Sequence, residues 1–187
     1  TGQILGCFNT GTITSVKDRS GGIAAINYGQ ITGSYNRGTI AGEKIVGGIA
    51  AVSGPEADGM PCLVTGCYNI GAVTGRETVG GIVGQNAAEI SGAASLGSAV
   101  TGRSKTCTVA GTNSLQGRLQ NNVWWSGLTG LPERGDGAAA SQPGKQVTSA
   151  MLIDGKGFWP RVHSSFNSPT LWELREGEYL PQLVGEG

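Results

Sequence analysis

One string of residues comes back twice in register, and that repetition constrains the fold more than any other feature of the chain. Gly6-Cys7-Phe8-Asn9-Thr10-Gly11-Thr12-Ile13 returns as Gly33-Ser34-Tyr35-Asn36-Arg37-Gly38-Thr39-Ile40, and again as Gly66-Cys67-Tyr68-Asn69-Ile70-Gly71-Ala72-Val73. A second landmark follows each copy: Gly21-Gly22-Ile23, Gly47-Gly48-Ile49 and Gly80-Gly81-Ile82. The first landmark recurs after 27 and then 33 residues, the second after 26 and then 33. The longer interval is one period plus an excursion, Ser53 to Pro61, where Pro and Gly crowd as in a bulging loop. A fourth, eroded copy runs from Ile90 to about Thr112, where Ala99-Val100-Thr101-Gly102-Arg103 echoes Ala72-Val73-Thr74-Gly75-Arg76.

Within each unit the apolar residues come in short runs rich in Ile and Val, punctuated by Gly and Asn. No stretch keeps the i, i+3, i+4, i+7 spacing of an amphipathic helix, whereas short β-branched runs between turn residues are strand signals. Three runs fit each unit, around Ile4 to Phe8, Thr12 to Thr14 and Gly22 to Ile26. None could bury an apolar face alone, so the units must stack, with like residues in files at about 4.8 Å spacing. The pattern predicts an all-β solenoid of about four coils, over residues 2–29, 30–61, 62–89 and 90–112. The expected files are Ile4, Ile31, Val64 and Ile90; Ile13, Ile40, Val73 and Val100; and Ile23, Ile49 and Ile82. Phe8, Tyr35 and Tyr68 should stack ring on ring, and Asn9, Asn36 and Asn69 should form an amide ladder at a corner. The paired glycines fit places where a Cβ would strike a neighbouring strand or where φ must be positive.

Composition narrows the function classes. Thirteen basic residues against 13 acidic give a net charge of zero, which leaves no cationic excess for nucleic acid. A hydrophobic share of 38% with only 14% charged residues argues against disorder. Apolar stretches are interrupted by Gly, Asn, Ser and Thr every few positions, so this segment is not expected to insert into a membrane. The chain opens at Thr1 without a leader-like segment, which reads as a piece of a larger chain.

Beyond residue 112 the pattern fades and the residue types change. All four tryptophans, Trp124, Trp125, Trp159 and Trp172, lie in the last third, residues 113–187. A stack of strands ends in an open edge and an exposed core, and large aromatics can cover both, so this part is expected to be a C-terminal cap. Pro132, Gly135, Gly137 and Pro143 make about residues 130–145 read as a long mobile loop. Thr148 is the expected N-cap of one or two helical turns over Ser149 to Ile153, with Gly155 as their stop.

Val79-Gly80-Gly81-Ile82-Val83-Gly84-Gln85-Asn86 and Gly66-Cys67-Tyr68-Asn69-Ile70-Gly71-Ala72-Val73-Thr74-Gly75 resemble the units of the GLUG repeat family, and the resemblance covers about residues 2–112. It implies a large secreted or surface-attached bacterial protein, of the kind that includes proteins similar to the immunoglobulin A protease group of zinc metallopeptidases. The tail is similar, more loosely, to the segment that often follows such repeats. Asn121-Asn122-Val123-Trp124-Trp125 matches its Asn-x-x-Tyr-Tyr stretch, and Val147 to Leu152 its short helical lead-in. Leu171-Trp172-Glu173-Leu174 with Glu178 to Leu183 matches its closing hairpin, with Leu180 where Pro is usual.

Reactive residues are sparse. A proteolytic zinc site needs His-Glu-x-x-His, and the chain has one histidine, His163, read as a solvated loop residue. Asp18, Glu43 and Glu77 fall just before the glycine pair in consecutive units, with Arg19, Lys44 and Arg76 close by. They read as a charged turn, or as a shallow stripe of the kind a stacked-coil carbohydrate-active enzyme would need. Glu56 and Asp58 share the excursion, too few oxygens for calcium. Cys7 and Cys67 lie two coils apart, about 9.6 Å from the strand spacing and too far to bridge. A Cys62–Cys107 bridge stays open, with four buried thiols as the default. Arg134-Gly135-Asp136 spells an integrin-type adhesion tripeptide. No catalytic, metal or cofactor site is expected. The leading expectation is a non-catalytic stalk or adhesive face for a host protein or glycan. The alternatives are a substrate-positioning segment of a secreted metallopeptidase and the carbohydrate-active enzyme.

Overall fold

The computed structural model describes residues 2–56, 61–131 and 144–186. Each repeat unit supplies five short strands, and each strand pairs in parallel with its counterpart one unit on. Layer 1 comprises Gln3–Leu5, Phe8–Asn9, Ile13–Thr14, Arg19–Gly21 and Ala24–Asn27; layer 2 begins at Gln30–Thr32, layer 3 at Leu63–Thr65 and layer 4 at Glu89–Ser91. The architecture is therefore all-β with stacked parallel sheets, and its helices are confined to the tail. A partial fifth layer, Arg118–Gln120 and Val123–Trp125, extends two of the sheets.

Five strands stand where the runs suggested three: Gly6 splits the first run in two, and Arg19–Gly21 is a strand that lies outside all three. Gly6, Gly33, Gly66 and Gly92 all have φ between 55° and 61°, and each turns the chain between the first and second strands of its layer. The glycine pairs make a second corner. A Cβ on Gly22 or Gly48 would run into the carbonyl of the next layer's glycine and into the Asn36 or Asn69 amide. Close approach, not positive φ, keeps those positions glycine.

The predicted files are present. Ile4 pairs with Ile31, Ile31 with Val64 and Val64 with Ile90; Leu119 of the fifth layer continues the row. Ile13, Ile40, Val73 and Val100 stand in register. The Ile23 amide donates to the Ile49 carbonyl at 2.9 Å, Ile49 to Ile82 at 2.8 Å and Ile82 to Val109 at 3.0 Å. One further file, Ser20, Val46, Val79 and Thr106, was not anticipated: its two apolar members sit between polar ends, which hides it in the sequence. From layer 2 onward the apolar members of these files are almost all fully buried.

The aromatic and amide files also form. Tyr35 stacks on Tyr68 with centroids 4.8 Å apart and planes 1° from parallel, at the strand spacing itself, and Phe8 stacks on Tyr35 at 5.4 Å. Asn9 Nδ2 donates to Asn36 Oδ1, and Asn36 Nδ2 to Asn69 Oδ1, both at 2.7 Å. Each Asn also closes its own turn, accepting from the amide two residues on and donating to the carbonyl there. A second amide file lies at the opposite corner. Asn27 Nδ2 donates to Ser53 Oγ at 3.0 Å and Asn86 Nδ2 to Asn113 Oδ1 at 2.7 Å; serine in layer 2 obscures that ladder in the sequence.

The tail departs from a simple end cap. Lys145–Val147 pairs in parallel with Val123–Trp125 and so lies at the far end of the stack, but the rest runs back along one flank. α1 (Ser149–Ile153) forms after Thr148 as expected, although the Thr148 side chain makes no cap bond. Gly155 does not stop the helical segment: it opens α2 (Gly155–Val162), because Asp154 accepts from the Gly157 amide and starts a new helix there. Trp172–Glu173 and Gln182–Leu183 then pair antiparallel as a closing hairpin. Phe158, Trp159, Val162, Phe166, Trp172 and Leu183 bury themselves against Tyr35, Tyr68, Ala94 and Val123. The outward side of the aromatic file is apolar, and the tail aromatics cover it.

Candidate functional site

The αL glycines give the flank its groove. A Cβ on Gly92 would strike His163, one on Gly66 Ser165, and one on Gly33 Leu171, so successive tail residues pass successive layers. His163 is thus not a solvated loop residue but is half buried in the seat that Gly92 leaves open. Its Nδ1 lies 2.8 Å from Ser165 Oγ and accepts from the Ser165 amide at 3.1 Å, and its Nε2 lies 3.5 Å from Thr65 Oγ1. By accepting from the Ser165 amide, the His163 side chain caps the start of the 3₁₀ turn Ser164–Asn167.

Polar clamps hold the same flank. The Tyr68 hydroxyl donates to the Pro181 carbonyl at 2.6 Å, and Trp159 Nε1 donates to the Tyr179 carbonyl at 2.8 Å. The Tyr35 hydroxyl donates to Glu186, and Arg37 lies over the Tyr35 ring, 4.9 Å from its centroid. Burial, reinforced by the Glu186 hydrogen bond, pushes the Tyr35 hydroxyl well above the ordinary phenol range, so it stays a donor at any physiological pH.

The charged turn resolves into ion pairs between layers. Asp18 meets Lys44 at 2.9 Å and Glu43 meets Arg76 at 3.1 Å, each acid of one layer bound to the base of the next. The Lys44 hydrogen bond holds the Asp18 carboxyl below its usual range, and Asp18 in turn raises Lys44. Glu77, the third acid of the turn, is exposed and adds to the field that raises Lys44. Glu56 is exposed, and Asp58 lies outside the described residues. Among the described residues, no three His, Cys, Asp or Glu side chains converge on a point that could hold a metal ion.

The cysteines correct another expectation. All four are free; Cys7 is exposed and Cys62 only half buried, leaving Cys67 and Cys107 as buried thiols. Cys7, in the first described layer, is exposed, whereas burial pushes the equivalent Cys67 thiol up to about 12. Cys62 sits beside Asn27 and Ser53 while Cys107 sits by Thr108, so the two are not bridged. Arg134, Gly135 and Asp136 lie outside the described residues.

A cleft unforeseen in the sequence opens where the far end of the stack meets the helices. It measures about 750 Å³, with Leu119, Val123, Met151 and Phe158 on its apolar walls and Asn121, Lys145 and Arg161 among its polar ones. Arg161 is held by Asp154 at 2.8 Å. The cleft is assembled from two stretches, Leu119 to Val123 and Gly144 to Val162, neither with a recognisable motif.

The fold has a known counterpart. The chain is similar to a crystal structure described as a "putative immunoglobulin A1 protease" from Bacteroides ovatus, with a TM-score of 0.72 and 20% identity. The match covers 98% of this chain and 58% of that one, so the chain spans little more than half of its neighbour's length. At that identity the likeness is one of fold. No family model matches the chain, and no curated protein does.

Proposed function

We propose that the chain is a β-solenoid of GLUG-like units, a rigid non-catalytic module of a secreted or surface-attached bacterial protein. The module presents flat faces that bind a host protein or glycan, or it spaces such a binding part from the surface. The observation that carries this reading is the strand order: every strand of layers 1 to 3 pairs in parallel with its equivalent one layer on, and a tail is fastened along the flank. A ladder of that kind is stiff along its axis and repeats its outward side chains at fixed spacing. On this reading the repeat part, expected over residues 1–112, continues into the partial fifth layer, Arg118–Gln120 and Val123–Trp125, and the segments from Lys145 on secure it. The tripeptide Arg134-Gly135-Asp136 belongs to this reading as an adhesion motif, tested by cell attachment with Asp136→Glu as control.

A second reading is favoured by the neighbour's description: an accessory segment that positions substrate for a secreted protease. Both are tested with the purified chain, immobilised immunoglobulin A1 and a panel of host glycans. Binding of a glycan or another host protein without turnover supports the first reading, and binding of immunoglobulin A1 without cleavage the second. Hydrolysis of immunoglobulin A1 or release of reducing sugar by the chain alone would overturn the non-catalytic assignment.

A further inference from the structure

The two ends of the stack are finished differently. At the far end, Leu119 continues the first file, Leu128 packs on the file of Ile40, Val73 and Val100, and Lys145–Val147 adds a strand. Among the described residues nothing comparable lies over layer 1. Ile4, Ile13 and Ile23 are only partly buried while Ile31, Ile40 and Ile49 are fully so, and Leu5, Phe8, Val16 and Tyr28 are 63%, 47%, 80% and 47% exposed. Four of the five layer-1 strands, Gln3–Leu5, Phe8–Asn9, Ile13–Thr14 and Ala24–Asn27, carry neither a charge nor a proline. Natural sheet edges are normally blunted by such residues.

The hydrogen bonding specifies what fits there. Layer 2 donates to layer 1 from the amides of Tyr35, Arg37 and Ile45, and accepts from layer 1 at the carbonyls of Thr39, Ala41 and Ile49. The equivalent groups of layer 1, the amides of Phe8, Thr10 and Arg19 and the carbonyls of Thr12, Thr14 and Ile23, have no preceding layer among the described residues. The amide ladder is polar in the same sense. Asn36 Oδ1 accepts from both Gly38 and Asn9, and Asn69 Oδ1 from both Gly71 and Asn36. Asn9 Oδ1 takes the Gly11 amide at 3.1 Å and has its second lone pair to offer.

We infer that the exposed face of layer 1 is a docking surface for a five-strand unit of the same pattern. That unit enters parallel and in register, with an amide donor over Asn9, a flat ring over Phe8 and β-branched side chains over Ile4, Ile13 and Ile23. A second copy of this chain does not meet the specification. Its far end already carries layer 5 and Lys145–Val147, and two layer-1 faces related by a twofold axis meet with strands antiparallel, against the parallel donor and acceptor pattern.

The test joins a duplicate of residues 3–29 directly ahead of residue 3 of the full chain, beside an extension of the same composition in scrambled order. Hydrogen exchange is read at the amides of Phe8, Thr10 and Arg19, and mass by light scattering. The duplicated unit should slow exchange at those amides by about 100-fold or more, as burial within a cooperative unit does, and raise Tm by several degrees in a monomer. The scrambled extension should do neither. Phe8→Glu in the duplicated chain should abolish the gain. Unchanged exchange with the duplicated unit overturns the inference. So does equal protection by the scrambled one, or an unextended chain that is a dimer with those amides already protected.

Discussion

In the stack, Tyr35 meets Tyr68 as Asn36 meets Asn69 and as Ile31 meets Val64: each contact is one instance of a relation repeated layer after layer. In the tail every contact occurs once. Tyr68 meets Trp159 at 5.4 Å and a 48° tilt, and Trp172 at 5.8 Å and 37°; Trp159 meets Phe158 edge-on at 81°. The stack takes its order from translation, the tail from a particular fit to one flank. Translation gives the same side chain a shared environment many times over, so a lost contact is felt locally. A single-use fit concentrates its stabilisation in a few large side chains, and losing one should release the whole segment.

The sharpest way to break that contrast is Trp159→Ala. Trp159 is only 2% exposed and joins α2, the hairpin and the aromatic file. Truncation should cost about 3–5 kcal/mol, as removal of a buried Trp does. Hydrogen exchange should show the tail amides opening while the amides of Ile40, Ile49 and Val73 stay slow. Simultaneous loss of both sets would mean that the stack depends on its flank.

Within the stack, Asn69→Leu and Asn9→Leu compare the same ladder position inside and at the end. Replacing Asn69 strands the buried Gly71 amide and the Asn36 amide donor, at about 1–3 kcal/mol each before relaxation. A total of about 2–4 kcal/mol by urea unfolding is expected. The Asn9 change, in the more exposed first layer, should cost less than about 1 kcal/mol. Equal costs would show that the ladder is not stabilised by stacking.

Tyr68→Phe isolates one clamp between the two regions. It keeps the ring stack and removes the bond to the Pro181 carbonyl together with the hydroxyl's interaction with the Arg37 side chain, leaving a buried acceptor unpaired. About 1–2 kcal/mol should be lost, with faster exchange confined to the hairpin. If exchange rises across layer 3 as well, the hydroxyl is holding the stack in addition to the tail.

The same contrast explains what could be read in advance. The files led by Ile4 and Ile13, the ring stack and the Asn9 ladder were legible because a residue type recurring at a fixed interval has one economical explanation. Legibility failed wherever the file was mixed: Ser20 and Thr106 hid the Val46–Val79 file, and Ser53 hid the second amide ladder. In the tail the number of large aromatics was readable but their seat was not. A tryptophan can cover an end or a flank, and the choice fell to the groove of αL glycines, whose shape only the assembled layers create. His163 illustrates the cost: its surroundings in the chain are polar, and its seat is supplied by Gly92, 71 positions earlier in the sequence. The cleft by Lys145 was invisible for the same reason.

The smallest effect sharpens the comparison from the side of the charges. Translation places Asp18 against Lys44 and Glu43 against Arg76, yet all four side chains are solvent-accessible, and repetition cannot strengthen a pair that water screens. Glu43→Gln should therefore change stability by less than about 1 kcal/mol, and high salt should erase the difference. Asp18 adds a pH signature. Its carboxyl is depressed by Lys44, so its contribution is present above the usual Asp range and fades as pH falls through the lowered value. Lys44 is raised, so its share is lost only at alkaline pH, as pH climbs through the elevated value. Thermal melts of the parent chain and Asp18→Asn should accordingly differ slightly at neutral pH and coincide in acid. A gap that persists in acid would mean that the aspartate acts on the turn itself, through its shape, and not through charge passed from one layer to the next.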